Sequence, residues 1–181
     1  REIPLEVLRT RVGLVAQEVF LFSDTLRNNV TLYDESVSEA VLEDAAKAVG
    51  ADGFIRQLPE RWNMEVRERG ASLSVGQRQL IAFMRAYVAR PAVLVLDEAT
   101  SSIDSESERL IQEATRRITK DRTSLVVAHR LSTIQEADAI FVFDSGKLVE
   151  QGAHADLLAQ EGIYRNLYEK QFVALPSRSV D

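Results

Sequence analysis

The chain has 181 residues, of which 45% are hydrophobic and 28% are charged, and this composition is ordinary for a globular protein. A single domain of this length can bury about 70% of its unfolded surface, which is enough for one sizeable core. The formal net charge of −6 disfavours a general nucleic-acid binder, and the absence of cysteine excludes disulfides and thiolate metal sites. No apolar run approaches the roughly 18 residues that span a bilayer, so we expect any membrane role to come through a partner.

The first part of the chain predicts one strand and several helices. Residues 12–16 form a short apolar run, typical of a strand, that ends at Gln17. Residues 38–49 have apolar positions at helical spacing, with Ser38 suited to cap the start and Gly50 suited to the end. Shorter helices are predicted at residues 25–30 and 51–58.

The clearest predicted helix begins at Ser74. Ser74 and Gln77 have the spacing of a capping box, in which each side chain bonds the backbone N–H of the other residue. An apolar stripe follows, and Arg90-Pro91 ends the helix. We interpret the stripe as core packing rather than as a cofactor site.

Strands and helices then alternate. Residues 93–96 and 124–128 are apolar without alternation, which is typical of parallel strands covered on both faces. With a helix predicted between them at residues 105–118, the pattern indicates an α/β protein. The segment between the first two strands shows helices but no convincing buried strand. The predicted organisation is a core of residues 1–18 and 91–175, a helical insertion at residues 19–90 and a frayed tail at residues 176–181.

The C-terminal part predicts a hairpin and a last helix. Asp144-Ser145-Gly146 is a turn signal between two apolar runs and predicts a hairpin over residues 139–150. Residues 156–172 predict a helix that Gly162 can interrupt.

Polar side chains follow each predicted strand: Gln17 after the first, Asp97-Glu98 after the second and His129 after the third. Ligands of open α/β sheets bind outside the carboxyl ends of the strands, so these residue types predict a metal–phosphate site. Asp97 can hold Mg²⁺ directly or through water, and Glu98 can accept a proton from a water that attacks a γ-phosphate. The alternative, an acidic pair that only stabilises a helix N-terminus, explains one exposed carboxylate better than two.

The start of the helix at Ser74 also suits an anion. Its N–H groups are unpaired, Gly76 lets an anion approach the backbone, and the Ser74 hydroxyl can donate to a phosphate oxygen. Taken alone, Ser74 and Gln77 are explained as well by an ordinary helix cap. His129 has a similar alternative, since a lone histidine is often a satisfied core residue, yet a neutral imidazole there can donate to a γ-phosphate.

Together these residues resemble the nucleotide-binding domain of ABC exporters, over residues 1–172. The motifs occur in the family's order: a Q-loop glutamine at Gln17, an x-loop at residues 66–70, a signature motif at residues 73–77, a Walker B pair at Asp97 and Glu98, a D-loop at residues 101–104 and a switch histidine at His129. Val75 departs from the family by replacing the first signature glycine, and Arg67 by replacing an x-loop glycine.

The resemblance implies an α/β, P-loop NTPase (RecA-like) core sheet with an inserted helical subdomain. It also implies that the N-terminal strands and the Walker A helix are missing. No G-x-x-x-x-G-K-[ST] sequence occurs, and the one Gly-Lys pair, Gly146-Lys147, lacks the required neighbours. The missing part predicts an uncovered apolar sheet surface and an unpaired edge, and therefore marginal stability or self-association of the chain alone.

The family's chemistry implies ATP and Mg²⁺ as cofactors. The implied catalytic residues are Glu98, His129 and Gln17, and the implied metal residues are Asp97 and Gln17. The residues implied to bind nucleotide are Ser74, Gly76, Gln77 and Asp104, acting on ATP held by a second nucleotide-binding domain in a head-to-tail dimer. The expected function is ATP hydrolysis coupled to transport at the cytoplasmic face of a membrane, with the chain alone inactive. The transmembrane domain of the transporter is the other expected partner, and Phe20 and Phe22 either line its docking groove or belong to the core.

Two other functions stay open. A shortened, catalytically dead ABC subunit would act only as a partner-binding module. A soluble ABC ATPase of DNA repair or translation is disfavoured by the x-loop, by the acidic charge and by the lack of a long coiled-coil insertion.

Overall fold

The computed structural model describes residues 3–67, 70–97, 105–128 and 131–170. The chain divides into two compact units, Arg1–Val127 and Ala128–Asp181. The elements of the first unit are α1 (Leu5–Arg11), β1 (Val12–Val15), β2 (Asp24–Thr25), α2 (Leu26–Thr31), α3 (Glu39–Val49), α4 (Asp52–Gln57), a 3-10 turn (Arg61–Asn63), β3 (Glu65–Val66), α5 (Val75–Ala89), β4 (Val93–Asp97), α6 (Ser105–Thr119) and β5 (Thr123–Val127). Those of the second unit are α7 (Leu131–Gln135), β6 (Ile140–Asp144), β7 (Lys147–Gly152), α8 (His154–Ala159) and α9 (Ile163–Tyr168).

A parallel sheet of three strands lies in the first unit, in the order β1-β4-β5. Its strands confirm those predicted at residues 12–16, 93–96 and 124–128, with ends that differ by one residue. The register places Leu14 beside Val95 and Val95 beside Leu125. Because the strands are parallel and in register, all three end at the same edge of the sheet.

The two faces of this sheet are covered differently, which corrects the prediction that the strands are covered on both faces. Leu94 and Leu96 are buried in one core cluster with residues of α5 and α6. On the opposite face, Leu14, Leu125 and Val127 are 67%, 55% and 50% exposed. Side chains alternate between the faces of a strand, so an apolar run becomes half-buried when helices pack on one face and the other stays open in the described part of the chain.

The caps predicted for two helices are confirmed. Ser38 Oγ accepts a hydrogen bond from the backbone N–H of Val41 at the start of α3, and Gly50 ends that helix in the left-handed conformation, with φ of 73°. α5 runs for 15 residues from the predicted cap at Ser74 to Arg90. The sequence therefore determines where these helices begin and end.

The segment predicted to lack strands contains a short antiparallel pair. β2 and β3 pair Asp24 with Val66 and Thr25 with Glu65. The N–H of Leu26 extends the pairing by donating to Met64 O at 2.9 Å. Two-residue strands leave no hydrophobic period in the sequence, which is why the prediction missed them. The predicted division into a core and a helical insertion stays a prediction.

The hairpin predicted in the second unit is confirmed. β6 and β7 pair in antiparallel register around Ser145 and Gly146, whose φ angles of 49° and 75° suit a tight hairpin turn. The predicted last helix is split at Gly162 into α8 and α9, as the glycine suggested. Its residues 171 and 172 lie outside the described part of the chain.

A carboxylate from the hairpin fixes the start of α9. Glu150 accepts hydrogen bonds from the backbone N–H groups of Ile163, at 2.6 Å, and Tyr164, at 2.9 Å. A Cβ at Gly162 would collide with the Glu150 carboxylate, so a larger residue there would displace that carboxylate from the start of α9. Tyr164 is buried, which raises its pKa, and its hydroxyl lies 2.6 Å from His154 Nδ1. His154 thus has a packing role.

A search of the described residues finds no helix with both the length and the apolar character that a bilayer crossing requires.

Candidate functional site

The carboxyl edge of the parallel sheet brings two of the predicted site residues together. Asp97 is the last residue of β4, and Gln17 follows β1 by two positions. Val15 pairs with Leu96, so the chain after β1 leaves the sheet next to Asp97. Gln17 is exposed and Asp97 is partly buried, which leaves both side chains accessible to a ligand.

The other residues predicted at this edge cannot be placed. Glu98 and His129 lie outside the described residues, as does Asp104. In the sequence, Glu98 directly follows Asp97, and His129 comes two positions after the end of β5. Their roles stay predictions.

Asp97 is the residue of this edge that is predicted to hold Mg²⁺, and that role stays a prediction. It alternates in phase with Val93 and Val95, so its carboxylate belongs to the open face of the sheet. The described residues contain no group of three or more histidine, cysteine or carboxylate side chains arranged around a metal ion.

The predicted capping box at the start of α5 is present, and it leaves the hydroxyl hydrogen of Ser74 able to donate a further hydrogen bond. Ser74 Oγ accepts from the N–H of Gln77 at 3.1 Å, and Gln77 Oε1 accepts from the N–H of Ser74 at 2.9 Å. A hydroxyl that accepts one bond can still donate its own hydrogen. Ser74 is exposed, so it can cap the helix and donate to an anion at the same time. The Gln77 carbonyl oxygen is engaged in the cap, which leaves its amide NH₂ for a ligand.

Gly76 has a packing role that the sequence did not indicate. It is buried, and a Cβ placed on it would lie 2.7 Å from Ser107 Cβ and 2.8 Å from Ser107 Oγ. The glycine therefore allows α5 and α6 to approach closely. Its predicted role in letting an anion reach the backbone stays a prediction, because packing alone already requires a glycine there.

The loop before the capping box is held by Arg78 of α5. Arg78 Nη1 donates to Leu73 O at 2.7 Å and lies 3.4 Å from Gly70 O. Gly70 has a φ of 73°, and a Cβ there would lie 2.8 Å from Leu21 Cδ1. The loop thus packs directly against the segment that follows Gln17.

That segment carries an exposed group of rings, which we call the aromatic cluster: Phe20, Phe22 and Tyr33. The ring centroids of Phe20 and Phe22 are 5.2 Å apart, and those of Phe22 and Tyr33 are 6.1 Å apart. Phe20 and Phe22 are 62% and 39% exposed. The alternative that they belong to the core is therefore wrong.

A carboxylate beneath the cluster holds Tyr33. Asp24 accepts from the N–H of Thr25 at 2.6 Å, from Asn28 Nδ2 at 2.9 Å and from the Tyr33 hydroxyl at 2.9 Å. These bonds lower the pKa of Asp24, the bond from Thr25 most strongly. The bond to Asp24 raises the pKa of Tyr33. Both groups are therefore in their bonded forms at neutral pH, and the ring of Tyr33 stays fixed beside Phe22.

Two polar residues behind the cluster escaped the sequence analysis, namely Asn29 and Arg85. Asn29 is completely buried, and Arg85 is half-buried between Met84 and Ala86, both of which are buried in α5. An arginine inside an otherwise apolar run of a helix was the available signal, because a buried charge needs partners.

Comparison with known proteins gives a consistent result. The family model described as ABC transporter matches residues 2–101. The chain is 46% identical over 175 residues to a putative ABC transporter ATP-binding protein of Streptococcus pneumoniae, covering 97% of this chain and 30% of that protein. It is also 46% identical over 172 residues to an ATP-dependent lipid A-core flippase of Syntrophus aciditrophicus, covering 95% of this chain and 29% of the flippase.

A solved structure of an ABC exporter is also similar to this chain. A bacterial Atm1-family ABC exporter with ATP bound superposes with a TM-score of 0.83 at 38% identity, over 97% of this chain and 30% of the exporter. This likeness confirms the predicted α/β fold class, that of a P-loop NTPase. The chain spans only about 30% of the length of these proteins.

Proposed function

The chain belongs to the ABC transporter family, and from this we propose that it is the ATP-binding and ATP-hydrolysing domain of an exporter, in which hydrolysis drives transmembrane transport. The observation that carries the proposal is the arrangement of the sheet edge. β1 and β4 pair in parallel and end at the edge where ligands of α/β sheets bind, with Asp97 as the last residue of β4 and Gln17 two positions after β1. The names of the relatives, which include ATP-binding proteins and an ATP-dependent flippase, support it.

Each residue that the sequence predicts at this edge has a proposed role. Asp97 and Gln17 would hold Mg²⁺, which would neutralise phosphate charge. Glu98 would accept the proton of the water that attacks the γ-phosphate, and His129 and Gln17 would contact that phosphate. The position of Asp97 at the end of β4, partly buried on the open face of the sheet, supports the metal assignment.

The residues at the start of α5 would serve a nucleotide held by a second domain. The available hydroxyl hydrogen of Ser74 supports a bond to phosphate, and Gly76, Gln77 and Asp104 would complete the contact in a head-to-tail dimer. The sequence contains no G-x-x-x-x-G-K-[ST] loop. We therefore propose that the chain alone binds ATP poorly and does not hydrolyse it.

The aromatic cluster would contact the second partner, the transmembrane domain, at the cytoplasmic face of the membrane. Three adjacent exposed rings are unusual on a free surface and typical of a protein contact. The cluster follows Gln17 within a few residues, so a change at the nucleotide can reach the membrane partner along one short segment.

The test is ATP hydrolysis by a chimera in which this chain replaces the matching segment of the Streptococcus pneumoniae relative. We expect hydrolysis in lipid vesicles, and at least a hundredfold lower turnover in the Glu98→Gln variant, since a general base contributes about 10²–10⁴-fold. Glu60→Gln, at an exposed position outside the site, is the matched control and should hydrolyse ATP normally. Equal rates for Glu98→Gln and the unmodified chimera would reject the catalytic assignment of Glu98. No hydrolysis by the unmodified chimera would favour the dead partner-binding module.

A further inference from the structure

Arg85 of α5 bonds the backbone that carries the aromatic cluster. Its Nη1 donates to Phe20 O at 2.8 Å, and its Nε donates to Asn29 O at 2.5 Å. Its Nη2 lies 3.2 Å from Asn29 Oδ1. Burial lowers the pKa of Arg85, and these three acceptors replace the lost hydration of the guanidinium. A guanidinium suits the position because its donors point in fixed directions toward separate acceptors.

Asn29, which Arg85 bonds, is itself hydrogen-bonded to the backbone of Phe22. Its Oδ1 accepts from the N–H of Phe22 at 2.8 Å, and its Nδ2 donates to Phe22 O at 3.0 Å. Nδ2 also lies 3.0 Å from Thr25 O. Both backbone groups of Phe22 are therefore bonded to a side chain that Arg85 itself holds. The backbone at both phenylalanines is therefore held by hydrogen bonds that come directly or through Asn29 from one arginine.

A second restraint lies nearer the start of α5. Arg78 holds the loop at Gly70, and Gly70 packs against Leu21, the buried residue between the two phenylalanines. α5 thus holds residues 20–22 at two places, directly through Arg85 and through the loop that Arg78 bonds. Two separate attachments on one helix prevent the segment from pivoting about either of them.

We infer that Arg85 is a positioning residue that fixes the aromatic cluster to α5, so that the cluster and Ser74 move as one body. Ser74 lies at the start of α5 and Arg85 in its C-terminal half, so a displacement of the helix by ligand at one end displaces the rings at the other. The coupling to transport rests on the proposed function, whereas the mechanical link rests only on the hydrogen bonds. The two claims are therefore tested separately.

The first test measures amide hydrogen exchange in the full chain. Arg85→Met keeps an unbranched side chain that can stay packed in the helix and removes the guanidinium donors. We expect exchange at the Phe22 amide to become at least about tenfold faster, because Asn29 loses the bonds that orient it, while exchange in α3 changes less than twofold. Arg85→Lys keeps the charge but has a single donor atom in place of three, and should give a smaller increase at the same amide.

The control is Arg27→Met. Arg27 also donates to a backbone carbonyl, Val37 O at 2.5 Å, but it bonds no atom of the segment at Phe22. Its variant should leave the Phe22 amide unchanged. If Arg85→Met does not fold, Arg85→Lys decides the question. Unchanged exchange at Phe22, or an increase that spreads equally through α3, overturns the inference.

The second test measures ATP turnover of the chimera in lipid vesicles. Arg85→Met should lower kcat at least threefold and leave KM for ATP within twofold, because the hydrogen bonds of Arg85 go to Phe20 and Asn29, which hold the aromatic cluster. Arg27→Met should change neither constant. An unchanged kcat removes the coupling claim. A chimera that hydrolyses no ATP even without substitution rejects the proposed function instead, and the exchange experiment still decides the role of Arg85.

Discussion

The two faces of the parallel sheet are made of similar residues in different surroundings. Leu94 on the helix-packed face is completely buried, whereas Leu14 on the open face is 67% exposed. Asp97 belongs to the open face, at the edge where the strands end. The comparison teaches that similar apolar residues contribute differently to this unit: those on one face are packed under helices, and those on the other face are exposed.

The largest expected difference is between leucine truncations on the two faces. Leu94→Ala removes a buried side chain and should lower the free energy of unfolding by about 2–5 kcal/mol. Leu14→Ala should change it by about 0.5 kcal/mol or less, because the side chain is already in water. The sole tryptophan, Trp62, is buried in the same core cluster as Leu94, so its fluorescence can follow denaturant unfolding. Equal losses would show that the open face is covered in solution.

The packed side can be probed next at the contact between α5 and α6. Gly76→Ala forces a methyl group to within 2.7 Å of Ser107 Cβ and should cost about 1–3 kcal/mol of unfolding free energy, although alanine is the better helix former. Adding Ser107→Gly should recover part of the loss, which a double-mutant cycle measures.

Gly53 is the matched control for that substitution. It lies in α4, and a Cβ there meets no atom within 4 Å. Gly53→Ala should therefore stabilise the chain by about 0.5–1 kcal/mol. Stabilisation by Gly76→Ala as well would contradict the close approach of α5 and α6.

The sequence alone predicted those structural features that depend on residues close together in the chain. The strand at β1, the capping box of Ser74 and Gln77 and the turn at Gly146 follow from residue type and spacing within a few positions. The placement of Gln17 and Asp97 after strands that end at one edge also follows from sequence, because parallel strands end at the same edge. Such features need no knowledge of distant neighbours.

The features that the sequence did not predict depend on contacts between residues that are far apart in the chain. Apolar residues in β5 fit burial on both faces, and only the placement of α5 and α6 shows that one face is open. Arg85 bonds Asn29 across 56 positions of sequence, and no local pattern encodes such a pair. The sequence likewise suggested an anion-binding role for Gly76 and not its packing role, because the residue it packs against, Ser107, lies in the next helix.

Ser74 allows structure and chemistry to be separated at one residue. Ser74→Ala removes the cap of α5 and should cost about 1 kcal/mol, whereas Ser74→Asp keeps a good capping acceptor and should change the free energy of unfolding by less than about 0.5 kcal/mol. In the chimera, Ser74→Asp should nevertheless lower ATP turnover at least tenfold, because a carboxylate repels phosphate. Normal turnover in that variant would leave Ser74 with a capping role only.

The smallest effect on stability should come from a charge placed on the open face. Leu125→Lys replaces a side chain that is 55% exposed, so the free energy of unfolding should change by less than about 0.5 kcal/mol. Self-association of the chain should still weaken at least fivefold in sedimentation experiments, because the apolar face is the surface that a second copy would cover. Leu167→Lys, at a similarly exposed leucine of the second unit, should not weaken it. A chain that is monomeric without substitution would show that this face tolerates water, and the predicted self-association would then be wrong.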